Sequence, residues 1–212
     1  MTQAELNDIL KQHKLWLDSD CEKGKRADLS YTNLTDLNLI GVNLMSADLS
    51  GANLRGLNLR YAILTDCILT NVDLSDVDLR YSDLSYTNLT GTNLEGAKIR
   101  GSNLRGADLR GVSLRNVDLR YVNLRNANLE NVDLSGANLE GTDLINTGVY
   151  IFKGPRNRAV YNSKDDKLYI GCEIHRLEYW VKNCVDIGKD YNYSVEDIEA
   201  YSNWFKSLKE LT

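Results

Sequence analysis

Leucine recurs at every fifth position from Leu29 to Leu144, with Ile99 the single exception, so this stretch holds 24 five-residue units in unbroken register. The residue two before the leucine is typically small or β-branched, as at Ala47, Ala52, Val72, Thr92 and Val112. A polar residue, Asp or Asn, usually separates the two, and two variable residues follow. A period of five fits neither a 3.6-residue helix nor a two-residue strand sustained over such a length. The chain must therefore turn by a fixed angle at each unit, with two of every five side chains pointing inward and three outward.

The A(D/N)LXX pattern, clear in 27–31, 47–51 and 107–111, resembles that of the pentapeptide-repeat family over residues 27–146. The resemblance implies a mainly β fold, a right-handed quadrilateral β-helix with four units per coil, here about six coils. With strands about 4.8 Å apart the rod would be about 29 Å long. Each buried leucine should contribute about 1.5–3 kcal/mol. Glycine at the fifth position, as at Gly51, Gly91 and Gly101, permits the positive φ that corners need.

Both ends depart from the repeat. Thr2 and Glu5 form a T-x-x-E capping box, and Leu6, Ile9, Leu10, His13, Leu15 and Leu17 give an apolar stripe, predicting a helix over 2–20 that closes the first coil. After Val149 the period stops and aromatic residues rise. Segments 158–161 and 167–170 read as a hairpin, and 173–187 and 195–211 as helices, the second capped by Ser194. The chain thus divides into an N-terminal cap (1–26), a β-solenoid (27–149) and a C-terminal hairpin-plus-helices module (150–212). The run from Gly171 through Cys172 and His175, followed by Trp180, Gly188 and Ser194, is similar to a C-terminal segment of phage-encoded proteins. That similarity implies no activity; the module is a candidate for homodimerisation.

Candidate chemistry is sparse. Cys172 and His175 invite a Cys–His or zinc reading, but no orienting carboxylate motif or second ligand pair accompanies them, and packing is the expected role. His13 stands alone and reads as a cap residue. No catalytic triad, phosphate loop, metal cluster or cofactor motif is present, and a filled solenoid offers no cleft. The expectation is a non-enzymatic protein. A single proline, four scattered cysteines and the absence of an apolar run or leader suit a soluble, cytoplasmic chain without a membrane segment.

Charge sharpens the picture once residues are sorted by multiples of twenty. The net charge of −5 resides on the repeats, since each terminal segment is neutral by count. One face carries Arg60, Arg80, Arg100 and Arg120 with Tyr61, Tyr81 and Tyr121 beside them, a ladder of like charges that needs compensation. Two adjoining faces form an acidic flank that includes Asp73, Asp76, Glu95, Asp108, Glu130 and Asp133. Ile63 and Ile68 replace the usual polar residue and form an apolar patch near Ile40 and Met45.

These surfaces point to a rod that binds, and by binding inhibits, a partner protein. The family resemblance also implies a DNA-mimic alternative directed at DNA gyrase or another DNA-binding enzyme. Duplex DNA carries about one charge per 1.7 Å, however, so the flank is too sparse to copy it closely. Nucleic-acid binding through the Arg/Tyr face is a second alternative, opposed by the overall acidity.

Overall fold

The computed structural model describes residues 1–155, 157–171 and 173–210. It divides into two compact units, residues 1–133 with 137–147, and residues 134–136 with 148 onward.

In the first unit, isolated parallel bridges join residues twenty apart, from Asp28↔Asp48 to Asn123↔Asp143. Four pentapeptides therefore complete one coil. Most leucine amides donate to a carbonyl in the next coil, as Leu79 N does to Lys98 O at 2.8 Å, and the polar residue before the leucine commonly donates backward, as Asp78 N does to Leu57 O at 2.8 Å. Each corner closes when the small residue's amide bonds the preceding leucine's carbonyl, for example Ala62 N to Leu59 O at 3.1 Å. Leucines from Leu29 to Leu139, with Ile99, are buried, whereas Leu144 at the end is half-buried. Ser82, Thr87, Thr92 and Ser102 at the small position are also buried. There the hydroxyl donates to the same carbonyl, as Ser102 does to Ile99 O at 2.6 Å and Thr92 to Leu89 O at 2.7 Å, so no lone hydroxyl is left in the core.

The polar residue before each leucine has a structural task. Its side-chain oxygen accepts the amide two residues on, as Asn53 Oδ1 does from Arg55 N at 3.1 Å and Asp83 Oδ1 from Ser85 N at 2.9 Å. Asp and Asn perform this turn equally well. The fifth position adopts positive φ in every unit but that of Asp36, and glycine is not required there: Asn71, Asp76 and Asn126 do so, and so do Tyr61 and Tyr81, at 61° and 62°. A tyrosine in this region is strained. Its ring gains by lying across the residue one coil on: a Cβ on Gly101 would stand 2.8 Å from the Tyr81 ring.

Helix α1 (Gln3–Asp18) begins at Thr2 with the expected capping box and is shorter at both ends than the predicted 2–20. Leu6 and His13 are buried, but Leu15 is exposed, against expectation. Positions 6, 10, 13 and 17 follow helical spacing, and Leu15 falls off that stripe. The helix completes the edge of the first coil with its own acceptors. Ala27 N donates to His13 Nδ1 at 3.1 Å, and Asn38 N to Gln3 Oε1 at 2.9 Å. First-coil amides that have no earlier coil to bond are thereby satisfied.

Burial holds the pKa of His13 below the ordinary imidazole value of 6.5. The unfolded chain therefore protonates first as pH falls, and the contribution of neutral His13, complete above 6.5, is lost as pH drops through its folded pKa. Melting temperature should fall between pH 7.5 and 5, and His13→Leu should flatten that part of the profile while lowering the value at neutral pH. An unchanged profile in the variant would assign the acid sensitivity elsewhere.

The second unit contains a four-stranded antiparallel sheet in the order β1 (Val149–Lys153), β2 (Arg158–Asn162), β3 (Lys167–Ile170) and β4 (Glu173–Arg176). Helices α2 (Leu177–Asp190) and α3 (Val195–Lys209) follow. The expected hairpin is present as β2 and β3, Ser194 caps α3 with Asp197 reciprocating, and Leu211 lies outside the described residues. One strand is additional and one reading is corrected. β1 pairs with β2 along its whole length, and the start of the expected 173–187 helix is instead β4, whose residues alternate between half-buried and exposed before the helix begins at Leu177. Leu168, Trp180, Tyr201, Phe205 and Leu208 form the core, with Trp180 Nε1 donating to Leu168 O at 3.0 Å. Among the described residues, no helix is long and apolar enough to cross a membrane.

Candidate interaction surfaces

The arginine column alternates between two ways of settling its charge. Arg80 and Arg120 fold back onto the carboxylates two residues before them, Nε to Oδ1 of Asp78 and Asp118 at 2.8 Å in each case. The guanidinium of Arg80 is the first cause holding Asp78 below the ordinary carboxylate range, and that of Arg120 does the same for Asp118. Arg60 and Arg100 have no such carboxylate, because Asn58 and Lys98 occupy the matching positions. Their guanidinium carbons sit 5.3 Å from ring centroids, Arg60 over Tyr61 and Arg100 over Tyr121. The Nε of each is buried without a hydrogen-bond partner among the described residues. The compensation that the like-charge ladder requires is therefore supplied by aspartate at alternate steps and by aromatic faces at the others.

The tyrosines do not form one continuous stack. Tyr61 and Tyr81 stack at 5.7 Å, but glycine at 101 interrupts the column, and Tyr121 stands apart over Gly141. All three rings remain about half exposed, at 55%, 50% and 56%. Tyr86, with Arg105 5.9 Å from its ring centroid, repeats the same pairing at another corner and was missed. The signal was present, since both residues occupy the positions in their units that Tyr61 and Arg60 occupy in theirs.

The acidic flank separates into two kinds of carboxylate. Asp73, Asp108 and Asp133 stand at the turn-forming position of the repeat. Ser75, through side chain and backbone, holds Asp73 below its ordinary range, and Arg110 clasps Asp108 at 2.7–3.1 Å. Asp76, Glu95 and Glu130 stand at the outward variable positions and are exposed. Of these, Asp76 makes a loose pair with Arg55 at 3.6 Å.

Ile63 and Ile68 are half-buried and sit within ladders, bridged to Asn43 and Asp83 and to Asp48 and Asn88 respectively. Ile40, at 53% exposure, is the outward part of that patch.

The family profile of pentapeptide repeats matches eight copies across residues 25–60, 47–85, 78–116 and 113–147, more than half of the chain. The chain belongs to the pentapeptide repeat family. Its repeats accordingly form the right-handed β-helix of that family. Among solved structures, the pentapeptide repeat protein Rfr23 of the cyanobacterium Cyanothece 51142 is 37% identical over 48% of this chain and 63% of its own, with a TM-score of 0.35. This chain therefore spans less than two thirds of that relative's length. A pentapeptide repeat protein of the Arabidopsis thaliana thylakoid lumen is 32% identical over 45% of this chain and 70% of its own, with a TM-score of 0.38. QnrB1, a plasmid-mediated fluoroquinolone resistance protein, is 20% identical over 58% and 69%, with a TM-score of 0.38. No curated protein matches the sequence.

Outside the pentapeptide repeats, a cavity of about 110 Å³ lies within the second unit, lined by Ile170, Trp180, Ile187, Tyr193, Tyr201 and Phe205 among others. Glu173 at its margin accepts from the Tyr191 hydroxyl at 2.8 Å and lies 3.0 Å from His175 Nε2, contacts that lower its pKa. His175 also stacks on Tyr179 at 4.0 Å. Cys172, for which packing was the expected role, lies outside the described residues. Among the described residues no group of metal ligands assembles.

Proposed function

We propose that this pentapeptide repeat protein is a non-enzymatic interaction rod of six coils that binds a partner protein through its outer surface. The observation that carries this reading is the half-exposed edge of Tyr61, Tyr81 and Tyr121 with Arg60, Arg80, Arg100 and Arg120. There the guanidinium groups are already fixed on rings or carboxylates. Rigid tyrosine and arginine side chains dominate binding energy at protein interfaces, because they bring large area at small entropic cost. Nothing in the solenoid's own packing requires arginine at these positions. Asp76, Glu95 and Glu130 form a second candidate surface, on the acidic flank. Mimicry of DNA draws less support, because Asp78, Asp108 and Asp118 are each neutralised by an arginine two residues away.

Affinity capture with the intact protein, followed by mass spectrometry, tests the reading. Arg60→Glu/Arg100→Glu should lose the specific partner, and an equally folded variant that retains every specific protein would contradict the assignment of this edge.

A further inference from the structure

The cavity of the second unit is a pocket with an aromatic floor. Of its lining residues, Trp180, Tyr201 and Phe205 are buried, whereas Asn157, Gly171 and Tyr191 are exposed, so it opens to solvent on one side. The aromatic wall is continuous: ring centroids run from Tyr193 to Tyr201 at 5.8 Å, on to Phe205 at 6.2 Å and then to Trp180 at 6.1 Å. The tyrosine hydroxyls are committed to the protein itself. Tyr191 donates to Glu173 Oε1 at 2.8 Å, Tyr193 accepts from the Asn157 side-chain amide, and Tyr201 donates to Asn157 O at 2.6 Å. These bonds fix the rim in place, and Ile170, Ile187 and Ile198 complete an apolar interior.

One charge stands at this pocket. Glu173 is the single charged side chain of the lining among the described residues. The Tyr191 hydroxyl first, and His175 second, hold its carboxyl below the ordinary range, so it is ionised at neutral pH. Among the described residues no lysine or arginine pairs with it. An anion would be repelled there, and a neutral guest would gain nothing from the carboxylate. Aromatic rings attract cations through their quadrupole, more strongly where water is excluded, and quaternary ammonium groups are recognised in this way. Size agrees with charge. A cavity of roughly 150 Å³ holds benzene, and a trimethylammonium group, with fewer heavy atoms, suits the 110 Å³ found here.

We propose that this pocket binds a methylated ammonium group, with the aromatic wall around its methyl groups and Glu173 as the countercharge. Choline-like molecules and trimethylated lysine side chains share that chemistry. Every lining residue belongs to the second unit, so the site does not depend on the Tyr/Arg edge of the repeats.

Two-dimensional NMR of the intact protein at pH 7.5 tests the proposal, reading the Trp180 indole N–H and the Gly171 and Gly188 amides. The probes are choline and a capped Ala-Lys-Ala peptide trimethylated on its lysine, with the uncharged tert-butyl analogue of choline as control. At least one ammonium probe should shift these signals saturably, with a Kd of about 1 mM or tighter, and the analogue should bind at least about tenfold more weakly. Glu173→Gln, melting as the native protein does, should weaken the probe by about tenfold. Saturation by choline alone assigns the pocket to small ammonium molecules, and saturation by the peptide alone assigns it to a methylated side chain. Saturation by neither would overturn the proposal, as would equal affinity for the uncharged analogue or unchanged affinity in the folded variant. If Glu173→Gln does not fold, the comparison with the analogue decides alone.

Discussion

Leu79→Asp should abolish the cooperative fold of the solenoid. Leu79 is fully buried, and its backbone donates to Lys98 O while its carbonyl accepts from Ser82 at both amide and hydroxyl. The substitution removes about 1.5–3 kcal/mol of apolar burial. It also places a carboxylate among stacked leucines, where no cation can reach it, at a cost of several kcal/mol more. Together these consume most of the stability of an ordinary domain. Circular dichroism should show loss of the folded signal near 25 °C, whereas Leu79→Ala should remain folded with a loss of about 2–5 kcal/mol in urea titration. A Leu79→Asp protein that melts like wild type would mean that the leucine column is not the core.

A comparable loss is expected in the second unit from Gly188→Leu. Helices α2 and α3 approach so closely there that a Cβ on Gly188 would lie 2.5 Å from Ile198 Cγ1. A leucine must therefore push the helices apart or displace Ile198 into the cavity beside Trp180 and Phe205. Overpacking of this kind typically costs about 1–3 kcal/mol, and it falls on a small core. The fluorescence of Trp180 and Trp204 should report unfolding at markedly lower denaturant than in wild type. Gly188→Ala should show a smaller shift in the same direction, and no shift in either variant would mean that the helices do not cross at this glycine.

The period of five carried most of the first unit, because burial and turning repeat together: wherever a leucine recurs, a coil wall recurs. Residues at multiples of twenty therefore could be sorted into columns before any coordinates. Pairing within a column was less legible. Arg80 and Arg60 occupy the same repeat position, yet one grips Asp78 and the other lies on Tyr61, because the residue two before each differs in charge. The acidic flank mixes two kinds of carboxylate for a related reason. Asp at the turn position is interchangeable with Asn, so Asp73, Asp108 and Asp133 report turn geometry before they report a binding surface. In the second unit, β1 and β4 are short strands whose pairing comes from β2 and β3, and local pattern alone does not specify such partners. Segment 173–176 also runs directly into α2, which is why a helix was expected to start too early.

The most direct test of the interaction rod is the affinity of its captured partner for Tyr61→Asn/Tyr81→Asn. Asparagine already occupies the same positive-φ position at Asn71, Asn116, Asn126 and Asn131, so this variant removes the stacked rings while leaving a residue the corner accepts. Isothermal titration should show binding weakened by about tenfold or more, the scale of a lost interface anchor, with an essentially unchanged melting temperature. Equal affinity in a folded variant would contradict the claim that this rod works through its tyrosine and arginine edge.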